Sequence, residues 1–128
     1  MNNREQKKTA VRAGTPATVS KNISINSILA NGGDVKVYIK EPGELPRAIR
    51  AGDIPQEFLS KKLKIGHLRS STLALVCDPK SKESVNLSVG KIVYRGTVVM
   101  VHGGIDRIYP MSYSDANDAF VWLMNHRV

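Results

Sequence analysis

From residue 35 onward, hydrophobic and polar positions fall into short series with a clear period. Val35, Val37 and Ile39 alternate with Lys36, Tyr38 and Lys40, which predicts a strand with one apolar and one solvated face. Glu41-Pro42-Gly43-Glu44 fits a type II turn, with proline and glycine at the positions that need a fixed and a positive φ. Leu45 to Ala51 can return as a short second strand. Asp53-Ile54-Pro55-Gln56 reads as a helix start, with Asp53 as N-cap and Gln56 closing a capping box. That helix is expected over 54–65. Phe58, Leu59 and Leu63 form its buried stripe, Ser60, Lys61, Lys62 and Lys64 face water, and Gly66 ends it.

The run Thr72 to Cys77 is the most hydrophobic short stretch and reads as a central strand. A polar turn over 78–84 leads to an extended piece at Val85-Asn86-Leu87. Lys91 to Tyr94 and Thr97 to Val101 read as one strand bent at Arg95-Gly96, with a bulge at the glycine. His102 to Asp106 is a loop, and Arg107-Ile108-Tyr109 a last short strand. Ser112 or Ser114 caps a final helix over 113–125. Its core stripe is Ala116, Ala119, Phe120 and Leu123, at i, i+3, i+4 and i+7. Trp122 lies off that stripe, either packed on a flank or exposed as an anchor for a partner, and a small domain favours packing. The expected fold class is α+β: a small, mainly antiparallel sheet with two principal helices.

The N-terminal quarter follows different rules. Residues 1–18 are rich in Lys, Arg, Asn, Thr, Ala and Gly, with one isolated valine, and are read as flexible. Arg4, Lys7, Lys8 and Arg12 would share about one face of a helix. Residues 19–30 carry Val19, Ile23, Ile25, Ile28 and Leu29. Their spacing fits both an extended edge segment and a short helix docked on the domain. The division is therefore a basic extension over 1–33 and a single domain over 34–128.

Charge sharpens this division. The chain of 128 residues has 19 basic and 11 acidic side chains, a net charge of +8. Residues 1–33 contribute five bases and one acid, so a quarter of the chain carries half of the excess. Such a tail on a mildly basic domain points to nucleic acid, a ribonucleoprotein or an acidic protein surface. The single cysteine, Cys77, excludes an internal disulfide and suits a reducing cytoplasm. No apolar run approaches the length of a membrane span, and the N-terminus lacks the apolar segment of a secretion signal.

Candidate chemistry is sparse. His67, His102 and His126 do not form a metal-ligand spacing with Cys77, the acids show no paired signature, and no Walker or dinucleotide motif is present. His102-Gly103-Gly104 could bring backbone amides to an anion, although a plain turn explains it as well. No enzyme, metal or cofactor is expected. The residues singled out for a partner are the basic ones: Lys61, Lys62, Lys64 and Arg69, with Arg47 and Arg50 as neighbours, and Arg4, Lys7, Lys8 and Arg12 in the tail.

Residues 35–123 also carry a family pattern. An apolar strand ends in Glu-Pro-Gly (Val37 to Gly43), and a helix runs toward glycine (Phe58 to Gly66). A Leu/Val/Cys strand precedes a polar turn (Leu73 to Asp78). Asn86 then stands near a strand that carries Ile92 and Gly96-Thr97, and a Ser-capped helix follows. In this the chain resembles a small domain family of unknown function. That family occurs on phages, plasmids and conjugative elements, often beside anti-restriction genes. Gly66 is followed by His67 where the family has a second glycine, and the basic extension is a further departure. The resemblance implies a genetic context, and with the basic charge it suggests a counter-defence protein that inhibits a CRISPR effector or restriction enzyme by stoichiometric binding. Two alternatives are a sponge for a nucleotide second messenger and a sequence-tolerant nucleic-acid-binding accessory protein. An aromatic content of 5% leaves few stacking platforms for the latter.

Overall fold

The computed structural model describes residues 23–69 and 71–128. The chain is α+β. Five strands, β1 (Lys36–Lys40), β2 (Arg47–Arg50), β3 (Lys64–His67), β4 (Leu73–Cys77) and β7 (Val98–His102), form one antiparallel sheet in the order β2-β1-β7-β4-β3. β5 (Val85–Val89) and β6 (Ile92–Arg95) form a separate antiparallel hairpin. Three helices complete the fold: α1 (Ile25–Ala30), α2 (Gln56–Leu59) and α3 (Tyr113–Asn125).

The sheet is covered on both faces, so β4 is buried at all five positions. On one face Val37, Ile39, Ala74, Val76, Val99 and Val101 pack against Leu29 of α1, Ile54 and Phe58. On the other, Leu73, Leu75, Val98 and Met100 pack against Leu87 of the hairpin and Ala119 and Leu123 of α3. The predicted wet face of β1 is therefore covered. Lys36 is exposed, but Tyr38 is half-buried against α3, edge to face with Phe120, and Lys40 is only 2% exposed.

The first turn forms as predicted. Glu44 N–H donates to the Glu41 carbonyl at 3.0 Å, and Gly43 takes a φ of 78°. The final helix also matches, from Ser112 as N-cap through a complete capping box with Asp115. Trp122 is packed against the second core layer and lies 4.2 Å from the His126 ring.

The expected helix over 54–65 is corrected. Residues 51–53 make a 3-10 turn, the α-helix spans four residues, and Pro55 stands at the N-cap without a side-chain hydrogen bond. Asp53 instead pairs with Arg50. Asn26 of α1 donates to the Leu59 and Lys61 carbonyls at 2.8 and 2.6 Å, which terminates the helix from outside. Beyond it, Leu63 and Ile65 turn toward the core while Lys62, Lys64 and Gly66 face out, a period of two. That alternation is β3, and Gly66 lies inside it rather than at a helix end.

The bent strand expected over 91–101 is two strands in two different sheets. Gly96, at φ 76°, turns the chain from β6 to β7, and a Cβ there would lie 2.6 Å from Ser81 Oγ. Arg107–Tyr109 contributes an isolated bridge between Ile108 and Gly103 instead of a strand. Residues 25–30, inside the stretch assigned to the extension, are the short docked helix. Ile25, Ile28 and Leu29 are buried in the core.

Candidate interaction surface

Strand order separates the basic residues singled out from sequence. β2 and β3 are the two outer strands of the sheet, four inter-strand steps or about 19 Å apart. Arg47 shares a face with Ile39, its cross-strand partner on the side covered by α1 and α2, and pairs with Glu41 at 3.4 Å. Arg50 sits opposite Lys36, an unfavourable juxtaposition offset by ion pairs to Asp53 (3.0 Å) and Asp34 (3.4 Å). These partners, mainly the hydrogen bond to Asp53, hold the Arg50 guanidinium above its ordinary range. Strand order sets both arginines apart from Lys64, although Arg47, through Glu41, borders the cleft that Lys61 lines. Both guard a sheet edge.

Lys61 is also diverted. Its ammonium lies 3.8 Å from Glu83 and lines a polar cleft of about 230 Å³ that also contains Glu41, Glu57, Asp78 and Arg95. Lys62, Lys64 and Arg69 remain exposed and make no ion pair among the described residues. Lys64 and Arg69 flank the two ends of β3, roughly 16 Å apart along an extended chain. The tail residues Arg4, Lys7, Lys8 and Arg12 lie outside the described residues.

Two open grooves flank the β5–β6 hairpin beside this basic edge. One, of about 460 Å³, lies between the β5 end of the hairpin and α3 and is lined by Leu68, Leu73, Val89 and Trp122, with Arg69 and His67 at its rim. The other, of about 410 Å³, runs between β6 and the turn after β4. It touches all four residues of β6 and, on its far wall, Cys77, Asp78, Pro79 and Ser81. Lys64 is directly cross-strand from Cys77, so it stands on the same side as this second groove. Burial, and then the charge on Asp78, push the Cys77 thiol above its ordinary range and keep it protonated.

The hairpin is held in place by a buried polar lock. Lys40 Nζ donates to Asn86 Oδ1 at 2.6 Å, and Asn86 Nδ2 donates to the Lys40 and Gly96 carbonyls, both at 2.8 Å. Loss of solvation, then the charge on Arg127, lower the Lys40 pKa against an opposing contribution from Glu44. Sequence reasoning placed Lys40 on a wet face and missed this role. The signal was available in the lone asparagine between Val85 and Leu87, a polar residue inside an apolar extended piece.

The glycine loop is occupied by its own chain. Gly103 N–H donates to the Thr72 carbonyl at 2.8 Å and Gly104 N–H to the Arg107 carbonyl at 2.7 Å, so both amides are engaged internally. His102 Nδ1 lies 3.0 Å from the Pro110 carbonyl and 3.6 Å from Asp115. Among the described residues no cluster of three His, Cys, Asp or Glu side chains is placed to hold a metal. No described helix is long and apolar enough to cross a membrane. No family model matches the chain, no curated protein matches it, and no solved structure matches it.

Proposed function

We propose that this protein works by stoichiometric binding through the basic β3 edge and the adjoining grooves. The mobile-element resemblance makes the partner a bacterial defence nuclease, a CRISPR effector or restriction enzyme, inhibited in the cytoplasm of the host cell. The observation that carries the reading is the contrast among cations. Lys40 is buried and Arg47, Arg50 and Lys61 are engaged by carboxylates, whereas Lys62, Lys64 and Arg69 are exposed without an ion pair among the described residues, Arg69 lining one groove and Lys64 standing cross-strand from Cys77 in the other. Free cations around apolar surface suit a macromolecular partner that presents negative charge.

The test is affinity capture from a host lysate with and without nuclease treatment, using the wild type and a triple Lys62→Glu, Lys64→Glu, Arg69→Glu variant. A protein captured by the wild type in both conditions and lost by the variant supports the reading, provided it is a nuclease that the purified protein inhibits. Capture that disappears on nuclease treatment would assign the surface to nucleic acid instead.

A further inference from the structure

Four outer strand edges exist among the described residues, and they are finished differently. β2 carries Arg47 and Arg50, and β3 carries Lys64 with His67 exposed, the charged edges that discourage pairing with another chain. β5 is closed by the chain itself: Ser88 N–H donates to the His126 carbonyl at 2.8 Å, Val128 N–H donates to Asn86, and Leu87 bridges Arg127. β6 has no such cover among the described residues. Ile92 and Val93 in its first half are 58% and 51% exposed, both β-branched.

The backbone of β6 is also reachable. Side chains of a strand alternate between faces, so a groove that touches Ile92, Val93, Tyr94 and Arg95 in succession runs along the strand's edge. The two-residue loop Gly90-Lys91, with Gly90 at φ 60°, makes Val89 and Ile92 the hydrogen-bonded closing pair. The next pair, Ser88 and Val93, is then a non-hydrogen-bonded one, and Val93 turns its N–H and C=O outward.

We propose that β6 is a strand-addition site that takes an extended, acidic segment of the partner protein into the groove between β6 and the Cys77–Ser81 turn. Charge selects this occupant. Arg95 lines the groove, Lys80 and Lys91 adjoin its lining residues in the chain, and Lys64 is cross-strand from Cys77; against these four cations stand two carboxylates, Asp78 on the wall and Glu83 beside Ser81. A second copy of the chain would bring the same cations against them, whereas alternating acidic and β-branched side chains would place apolar groups beside Ile92 and Tyr94 on one face and carboxylates beside Arg95 on the other. The site rests on the binding function proposed above and names the surface and the partner element.

The probe is a fluorescent octapeptide of alternating glutamate and valine, titrated into the full-length protein by anisotropy. A matched peptide with alternate backbone nitrogens methylated keeps the charge and side chains but cannot complete a ladder. The parent peptide should bind, and the methylated one about tenfold more weakly or worse, with amide exchange at Val93 slowed only by the parent. Val93→Pro should weaken the parent peptide by a similar factor at an unchanged melting temperature, since proline on an outward-facing edge position leaves the hairpin ladder intact. Should that variant unfold, the methylated peptide still decides the matter on the wild type. Equal binding of the two peptides, no binding of either, or self-association that Val93→Pro abolishes would each overturn the proposal. Partner capture that survives Val93→Pro but is lost with the Lys62/Lys64/Arg69 reversal would retain the basic surface and discard the strand site.

Discussion

The two layers that cover the sheet are fastened by different physics. On one side Leu29, Ile54 and Phe58 meet Val37, Ile39, Val76 and Val99 through apolar side chains, with Asn26 tying α1 to the end of α2 within the layer. On the other side α3 covers the centre with Ala119 and Leu123, but the hairpin beside it depends on Lys40, Asn86 and the Gly96 carbonyl. Apolar contact supplies stability with little directional preference. A buried hydrogen-bonded lock tolerates one geometry and therefore fixes where the hairpin sits, which in turn shapes both grooves. The first layer holds the fold together, and the second positions the surface.

The largest break in this comparison comes from the apolar layer. α1 is six residues long, too short to persist without its contacts, and Leu29 within it is fully buried. Leu29→Ala should cost about 2–5 kcal/mol in chemical denaturation. Partner or peptide affinity of the folded fraction should be unchanged, because the hairpin layer is untouched. A loss of affinity without a loss of stability would contradict the division of roles.

Asn86→Leu should come next, at about 2–3 kcal/mol, because it leaves the Lys40 ammonium and two backbone carbonyls buried without their partner. Here binding should fall together with stability, since the hairpin loses its fixed position. The same lock has a pH signature. The Lys40 pKa is lowered in the folded state, so the unfolded chain binds this proton more tightly. Stability should therefore rise with pH between the depressed value and the ordinary lysine range. Denaturation series at increasing alkaline pH should show that rise in wild type relative to Lys40→Met, in which it should be absent.

How much of this was legible depends on which force decides a segment. The Pro42-Gly43 turn and the Ser112-capped helix are determined by local backbone chemistry, and both stand where the pattern puts them. The helix expected over 54–65 failed because its end is set by Asn26, about 30 residues away in the chain, which takes its carbonyls. The Lys62-Leu63-Lys64-Ile65 alternation competes with helical spacing there, and pairing with β4 decides in favour of the strand. At the candidate surface, Lys62, Lys64 and Arg69 were singled out from charge alone, and the structure leaves all three exposed. Strand order and ion pairing, which separate Arg47, Arg50 and Lys61 from them, are long-range properties that charge does not encode. The open edge of β6 was hidden because Gly96 reads equally as a bulge within one strand and as a switch between sheets.

Asp115 tests how firmly the second layer is anchored at its helical end. Its carboxylate accepts from the Ser112 N–H at 3.1 Å, and that hydrogen bond first, with the nearby His102 a lesser cause, holds its pKa below the ordinary aspartate value. A depressed carboxylate contributes stability above its unfolded pKa and loses it as pH falls through the folded one. Asp115→Asn should cost about 1 kcal/mol at neutral pH, and its difference from wild type should shrink below the ordinary aspartate range. A difference that persists unchanged into strong acid would mean that the side chain acts by packing instead of by charge.

The smallest effect on stability belongs to the residues expected to matter most for binding. Lys62 and Lys64 are exposed and make no ion pair among the described residues, so reversing both to glutamate removes no contact that folding needs. Their substitution should shift unfolding by no more than about 0.5 kcal/mol. Binding of an acidic partner or peptide should weaken, and the weakening should fade at high salt, where the wild-type attraction is itself screened. Leu29→Ala and this double reversal are then opposite cases, one changing stability alone and the other affinity alone. A double reversal that unfolds the protein would place the β3 edge in the structural layer and remove it from the binding surface.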